Sequence, residues 1–213
     1  MKISEMFVSL QGEGLYIGVP MYFVRTAGCN LRCAWCDTPY ALTGGKEMSV
    51  KEVYSEIIKE GKRGIQWVCI TGGEPLLQKD IYKLLYALLD SNFMVLFETN
   101  GSLPIDELPT EENLIVSMDI KTPSSKMHDK MNFKNIEVLG PTDYVKFVIA
   151  DDRDYDYAKK IIREYEPYNI VMQPVGGVNL KWLAEKVIQD RLGNVRVLPQ
   201  LHKIIWPEAD RGR

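Results

Sequence analysis

The chain has 213 residues, 46% hydrophobic and 26% charged, enough for one folded domain that needs no disulfide staples. Its 26 Lys and Arg against 29 Asp and Glu give a net charge of −3, which argues against binding to a nucleic-acid backbone. The longest apolar run, Leu84–Leu89, falls far short of the ~20 residues of a membrane span, and the start, with Glu5 early, lacks the apolar core of a signal peptide; a cytoplasmic protein is expected. In chain order, Ile3–Leu10 reads as a strand, Gln11-Gly12-Glu13-Gly14 as a polar turn, and Pro20–Thr26 as a second strand. A cysteine-bearing loop runs on to about Gly45. Ser49 and Glu52 form a capping box for a helix whose Val50, Val53, Tyr54, Ile57 and Ile58 share one face, with Gly61 and Gly64 ending it. Trp67–Thr71 is a strand stopped by Gly72-Gly73, followed by a helix with Leu77, Ile81, Leu84, Leu85 and Leu88 facing inward. Phe93–Thr99, Leu114–Ile120 and Tyr144–Ala150 are further strands. A helix through Tyr157–Tyr165, a strand Asn169–Pro174, a helix Leu180–Gln189 and a last strand Val195–Gln200 complete the pattern.

Short apolar strands alternating with helices imply βαβ units on a mostly parallel sheet, an α/β fold covered on both faces. The connections 101–113 and 121–143 carry only weak helical periodicity, so the barrel that such units build is expected to be partial and thin-walled. Residues 1–213 read as one domain, with 204–213 as a charged C-terminal tail.

Polar groups cluster just after the carboxyl ends of the strands: Arg25 and the cysteine loop, Thr71-Gly72-Gly73-Glu74, Glu98-Thr99-Asn100-Gly101, Ser117 to Lys121, Gln173, and Gln200-Leu201-His202. Parallel α/β folds bind ligands at that edge. Strand ends are polar in any protein, but here a cysteine cluster shares the edge. Glu98 and Asn100 read equally as pocket lining or turn formers. His128 reads as a solvated surface residue, and Trp67 and Trp182 as core.

Three of the four cysteines, Cys29, Cys33 and Cys36, fall in one short loop with the spacing Cys-x-x-x-Cys-x-x-Cys. A structural zinc takes four ligands, and the fourth would have to be Cys69, which lies inside a strand and reads as a small packed hydrophobe. A four-iron cluster on three thiolates keeps one iron open. That position suits a chelating amino and carboxylate pair, which S-adenosylmethionine carries; an electron from the cluster then cleaves its sulfonium bond and yields a 5′-deoxyadenosyl radical.

The cysteine spacing with Trp35 before the third Cys, and Gly72-Gly73-Glu74-Pro75 at a strand end, resemble the two motifs of the radical S-adenosylmethionine superfamily. The resemblance implies a partial (β/α) barrel of that type and a 4Fe-4S cluster on Cys29, Cys33 and Cys36. It implies S-adenosyl-L-methionine held by Gly73, Glu74, Ser117, Lys121 and Gln173. The opening Ser9-Leu10-Gln11-Gly12-Glu13-Gly14, Cys36-Asp37-Thr38, Asp119 to Ser124, Gln173-Pro174 and Gln200-Leu201-His202-Lys203 narrow the likeness to the 7-carboxy-7-deazaguanine synthase family.

That family resemblance implies a carbon–nitrogen lyase contracting the ring of 6-carboxy-5,6,7,8-tetrahydropterin to 7-carboxy-7-deazaguanine, with loss of ammonia and regeneration of the coenzyme, in 7-deazapurine (queuosine) biosynthesis. It implies Mg2+ at Thr38, with Asp37 either beside it or ordering the loop, an electron donor such as flavodoxin or ferredoxin, and a homodimer. For the substrate, Glu13 with Gln11 suits the guanidine-like donor edge of a pterin. Arg25 suits its carboxylate, and Thr71 and His202 complete the contacts. Two other readings compete. One is a glycyl-radical activase of the same superfamily, disfavoured by the Gln-Gly-Glu-Gly opening. The other is a non-enzymatic zinc module on all four cysteines.

Overall fold

Alternation along each strand decides what the two faces of this sheet become. The computed structural model describes residues 1–177, 179–207 and 211–212. The strands are β1 (Lys2–Leu10), β2 (Pro20–Thr26), β3 (Lys46–Glu47), β4 (Trp67–Gly72), β5 (Met94–Thr99), β6 (Leu114–Ile120), β7 (Tyr144–Ile149), β8 (Ile170–Pro174) and β9 (Val195–Val197). Among the described residues they form one nine-stranded sheet in the order β3-β1-β2-β4-β5-β6-β7-β8-β9. From β2 to β9 every neighbouring pair is parallel, while β1 runs antiparallel to both β2 and β3. The sheet does not close, because β3 and β9 are its two edges.

The helices are α1 (Val50–Gly61), α2 (Ile81–Leu89), α3 (Lys134–Val138), α4 (Asp152–Tyr165), α5 (Leu180–Gln189) and α6 (Leu201–Ile205). Ser49 and Glu52 cap α1 reciprocally, at 3.2 and 2.8 Å, as the capping box requires. The β5–β6 connection carries no helix and the β6–β7 connection only two 3-10 turns and the five residues of α3, so the wall is thin where the weak periodicity predicts. No helix among the described residues is long and apolar enough to cross a membrane.

Residues Val24, Val68, Ile70, Val95, Phe97, Val116, Val145 and Phe147 face the helices and form the larger core with Val53, Ile57, Leu84 and Leu88. The alternate residues make a second, smaller core from Met21, Phe23, Cys69, Leu96, Ile115, Tyr144 and Val171. Two residues further along the same strands, that inner face turns polar: Arg25, Thr71, Glu98, Ser117, Lys146 and Gln173. The strands are therefore not apolar on both faces throughout; the carboxyl half of the inner face is a polar trough.

Three expectations need correction. Leu77 is 44% exposed in a short 3-10 turn, Pro75–Leu77, because Pro75 and the Lys79-Asp80 pair delay α2 until Ile81. The last strand stops at Val197, Pro199 breaks it, and Gln200 instead caps α6. His128 is half-buried, its ring edge-on to Tyr157 at 5.7 Å. Of the tail 204–213, residues 208–210 and 213 lie outside the described residues.

Candidate active site

The polar trough opens into a cavity of ≈ 320 Å³ at the carboxyl edge of the sheet, within the range of small-ligand sites. One wall is the cysteine loop. The other is the Gln11–Gly14 turn with Gln200 and His202.

The loop that follows β2 is pinned at several points. Gly28, at φ 98°, makes the turn only a glycine adopts readily, and its N–H donates to the Ala41 carbonyl at 2.8 Å. Ala34 N–H donates to Ser125 O at 3.0 Å, and the Trp35 indole N–H to Ser124 Oγ at 3.0 Å. The Asp154 carboxylate in turn accepts from both the backbone and the hydroxyl of Ser124. Cys29 Sγ accepts from Leu31 N–H at 3.4 Å and lies 3.6 Å from Asn100 Nδ2. All three loop thiols line the cavity. Burial pushes the Cys33 and Cys36 thiols up, and at Cys33 the Lys121 ammonium opposes that rise. Cys69 is fully buried in the inner core, where it takes a long contact from Gln11 Nε2 at 3.7 Å. It lies three residues back from Gly72, about 10 Å down the strand. A four-cysteine zinc cage is therefore not built. Three thiols on a cavity wall, with that cavity beside them, fit an iron–sulfur cluster with one corner open.

Gly73 packs against the root of the loop. Its N–H donates to Thr26 O at 3.1 Å and Glu74 N–H donates to Gly28 O at 2.8 Å. A Cβ at Gly73 would stand 2.5 Å from the Gly28 carbonyl carbon and 3.0 Å from Cys29 Cβ. The Glu74 side chain does not reach the cavity wall. Its carboxylate is fully buried and accepts from Asn100 N–H at 2.7 Å, Thr99 Oγ1 at 3.0 Å and Leu76 N–H at 3.1 Å. Burial raises its pKa to about 7 despite those donors. What this motif presents to the cavity is the Gly72-Gly73 backbone. Ser117 and Gln173 likewise lie buried beneath the cavity and outside its lining. Gln173 donates to Pro199 O at 2.7 Å while its own Oε1 has no hydrogen-bond partner. Lys121 does line the cavity, salt-bridged to Asp119 at 2.7 Å and lying over the Trp35 ring.

Gln11, Glu13, Arg25, Thr71 and His202, singled out from the sequence, all line the same cavity. Arg25 is held through Nε by Glu5 at 2.7 Å, and Tyr40 donates to the same Glu5 oxygen at 2.8 Å. Glu98, which sequence reasoning left undecided, accepts from Thr71 Oγ1 at 2.7 Å and Gln11 Nε2 at 3.1 Å, so one carboxylate joins two of the five. The Glu13 carboxylate takes a hydrogen bond from Gln200 Nε2 at 2.5 Å and pairs with Lys146. Burial alone would raise its pKa, but Lys146 and His202 override that and lower it to about 2. The Gln11–Gly14 turn is locked by Leu201 N–H donating to Gly12 O at 2.8 Å. It is also locked by Gly14, at φ 70°, where a side chain would strike the Tyr144 ring. Lys146 escaped the sequence reading. Its signal was a single cation inside the otherwise apolar run Tyr144–Ile149, where an unpaired charge would not be tolerated.

Thr38 and Asp37 lie at the cavity, with the Thr38 hydroxyl donating to Asp37 Oδ1 at 3.0 Å. Ligand atoms of Glu13, Asp37 and His202 lie within 4.8 Å of one another.

Residues 23–139 match the family model of the Radical SAM superfamily. An open, mostly parallel sheet carrying three loop thiols beside a Gly-Gly turn is the arrangement of that superfamily, whose members use a 4Fe-4S cluster and S-adenosylmethionine. The 7-carboxy-7-deazaguanine synthase of Thermoplasma acidophilum is 44% identical over 210 residues, covering 98% of this chain and 99% of the relative. That of Methanospirillum hungatei is 42% identical, covering 96% and 85%. The crystal structure of QueE from Escherichia coli superposes with a TM-score of 0.75 at 25% identity, covering 93% of each chain. The chain belongs to the 7-carboxy-7-deazaguanine synthase family, and it is an enzyme. Neither the activase nor the zinc-module reading is favoured.

Proposed function

We propose that this enzyme converts 6-carboxy-5,6,7,8-tetrahydropterin to 7-carboxy-7-deazaguanine with loss of ammonia, without net consumption of S-adenosylmethionine. The observation that carries the reading is the meeting of two sets in one cavity: the three loop thiols on one wall, and Gln11, Glu13, Arg25, Thr71 and His202 around the rest. When bound on Cys29, Cys33 and Cys36, the cluster and its coenzyme supply a carbon-centred radical able to take hydrogen from the substrate.

The protein's part is to hold the substrate still and dry against that radical. Glu13, ionised and pinned on both oxygens, faces the amidine edge of the pterin as acceptor. Gln11 and Thr71, both donating to Glu98, have fixed orientations from which to meet the ring. Arg25, anchored through Nε by Glu5, offers its remaining guanidinium face to the substrate carboxylate. His202 lies beside the turn that carries Glu13, placed to donate to the same substrate. On the coenzyme side, the Gly72-Gly73 backbone and the Lys121 ammonium face the cavity, while Glu74, Ser117 and Gln173 support it from beneath. Thr38 and Asp37 offer hard oxygens for Mg2+, which keeps several of its waters.

A flavodoxin or ferredoxin supplies the electron, and the setting is cytoplasmic. Exposed Ile204 and Ile205 support the homodimer.

The test is anaerobic reconstitution of the full chain with iron and sulfide, then incubation with a strong reductant, coenzyme and the carboxy-tetrahydropterin. The expected result is the deazapurine, identified by mass spectrometry, in molar excess over coenzyme consumed. Stoichiometric coenzyme loss without deazapurine would remove the reading.

A further inference from the structure

Among the described residues, one chain of buried charge links four side chains, Glu13–Lys146–Asp119–Lys121. The Lys146 ammonium, on a side chain 7% exposed, pairs with Glu13 on one side and stands 3.3 Å from Asp119 Oδ1 on the other. The second Asp119 oxygen pairs with Lys121 at 2.7 Å. Two carboxylates and two ammoniums thus balance in the floor of the trough. Such a set is tolerated only when every member is paired. Nothing in the fold requires it: the neighbouring inner-face residues Tyr144 and Ile115 pack as ordinary core.

The Gln11–Gly14 turn that carries Glu13 is a connection between β1 and β2, with no helix or strand of its own to orient the carboxylate. Orientation comes from outside, from Lys146 on the interior strand β7 and from Gln200 beyond β9. Of these two, only Lys146 sits on a rigid, fully paired strand. We propose that Lys146 is a positioning residue, fixing the Glu13 carboxylate in the orientation that accepts the donor edge of the substrate. This rests on the reading of Glu13 as the substrate acceptor. Lys146 and Asp119 themselves line the cavity, but the Lys146 ammonium is already engaged by Glu13 and by Asp119 Oδ1 at 3.3 Å, so it acts on the substrate through Glu13.

The experiment compares wild type, Lys146→Met, Lys146→Arg, Glu13→Gln and the double variant Lys146→Met/Glu13→Gln. All are reconstituted as full chains, with iron content, coenzyme affinity, KM and kcat measured on each. Loss of the charged anchor raises the pterin KM of Lys146→Met by about tenfold or more, the scale of one charge-assisted hydrogen bond. Its kcat falls by less than about threefold, and iron content and coenzyme affinity stay at the wild-type level. Lys146→Arg recovers most of the KM. Because both variants disable one device, the double variant has the KM of Glu13→Gln alone, within about twofold.

A wild-type KM in Lys146→Met, or KM effects of the two single variants that multiply in the double, would overturn the proposal while leaving the function standing. Wild-type enzyme with a full cluster that makes no deazapurine would overturn both. Should Lys146→Met give no soluble protein, Lys146→Gln, which keeps a donor without the charge, is held to the same criteria.

Discussion

Replacing Gly73 by alanine tests the geometry on which the cluster wall rests. The position is not special for its backbone angles; it is special because the β4 turn and the root of the cysteine loop touch there. The new Cβ would stand 2.5 Å from the Gly28 carbonyl carbon, against an ordinary carbon–carbon separation of about 3.5 Å, so one backbone must retreat by about 1 Å. Neither is free to do so. Gly73 N–H is bonded to Thr26 and Glu74 N–H to Gly28 itself, and Cys29 Cβ stands 3.0 Å from the same methyl. Crowding of this kind costs about 1–3 kcal/mol in stability, and a 1 Å displacement near reacting groups costs about 10²-fold in rate. The expected outcome is a folded protein with reduced iron and sulfide per chain after anaerobic reconstitution and about a hundredfold loss of product formation. Gly193→Ala is the control, since a methyl there meets nothing within 4 Å. A Gly73→Ala enzyme with wild-type iron and turnover within about threefold would refute the steric reasoning.

Alanine at Cys29, Cys33 or Cys36 abolishes iron binding, whereas Cys69→Ala keeps the full complement of iron and loses about 1–2 kcal/mol of stability from the small void it leaves, measured by urea unfolding. Arg25→Lys keeps the charge but not the planar fork, so the substrate KM rises by about tenfold in steady-state assays. Two buried carboxyls shape the dependence of stability on pH with opposite signs. The Glu13 pKa is lowered from 4.5 to about 2 by Lys146 and His202, so its contribution is full above pH 4.5 and is lost as pH falls through 2. The Glu74 pKa is raised from 4.5 to about 7, so its contribution is full below pH 4.5 and is lost as pH rises through 7. In urea unfolding across this range, Glu13→Gln flattens the acid limb and Glu74→Gln flattens the neutral limb; an unchanged neutral limb in Glu74→Gln would contradict the second assignment.

The longer strands were legible because they are apolar runs bounded by Gly, Asn or Pro, and β2, β6 and α5 have the bounds their sequences imply; β3, the charged pair Lys46–Glu47, carries no such signal and could not be read. The start of α1 was legible because Ser49 and Glu52 declare it, whereas α4 begins at Asp152 behind the capping Asp151, five residues before Tyr157, where the apolar spacing places its start. What local sequence could not tell was which polar side chains turn inward. Glu98 and Lys146 differ from surface residues only through the register that places them on the inner face, one strand apart from each other across β6. Glu74 shows the reverse: its motif marks the right turn, but two backbone N–H groups and a hydroxyl draw its carboxylate away from the cavity. The short last strand was obscured because Val195–Gln200 has strand composition, and only Pro199 hints that pairing stops.

The two walls of the cavity differ in how far along the chain their partners lie. The longest hydrogen-bonded ties of the loop around Cys29 span 71 positions to Asn100, 89 from Trp35 to Ser124 and 91 from Ala34 to Ser125, while the grip on Glu13 spans 133 positions to Lys146 and 187 to Gln200. Loop closure costs about 0.6 kcal/mol more for each doubling of span, so the longer bridges carry the larger entropic cost. The pterin wall thus depends on both ends of the chain at once, since Glu13 near the start is gripped by Gln200 near the end, whereas the hydrogen-bonded ties of the thiol loop reach no farther than Ser125.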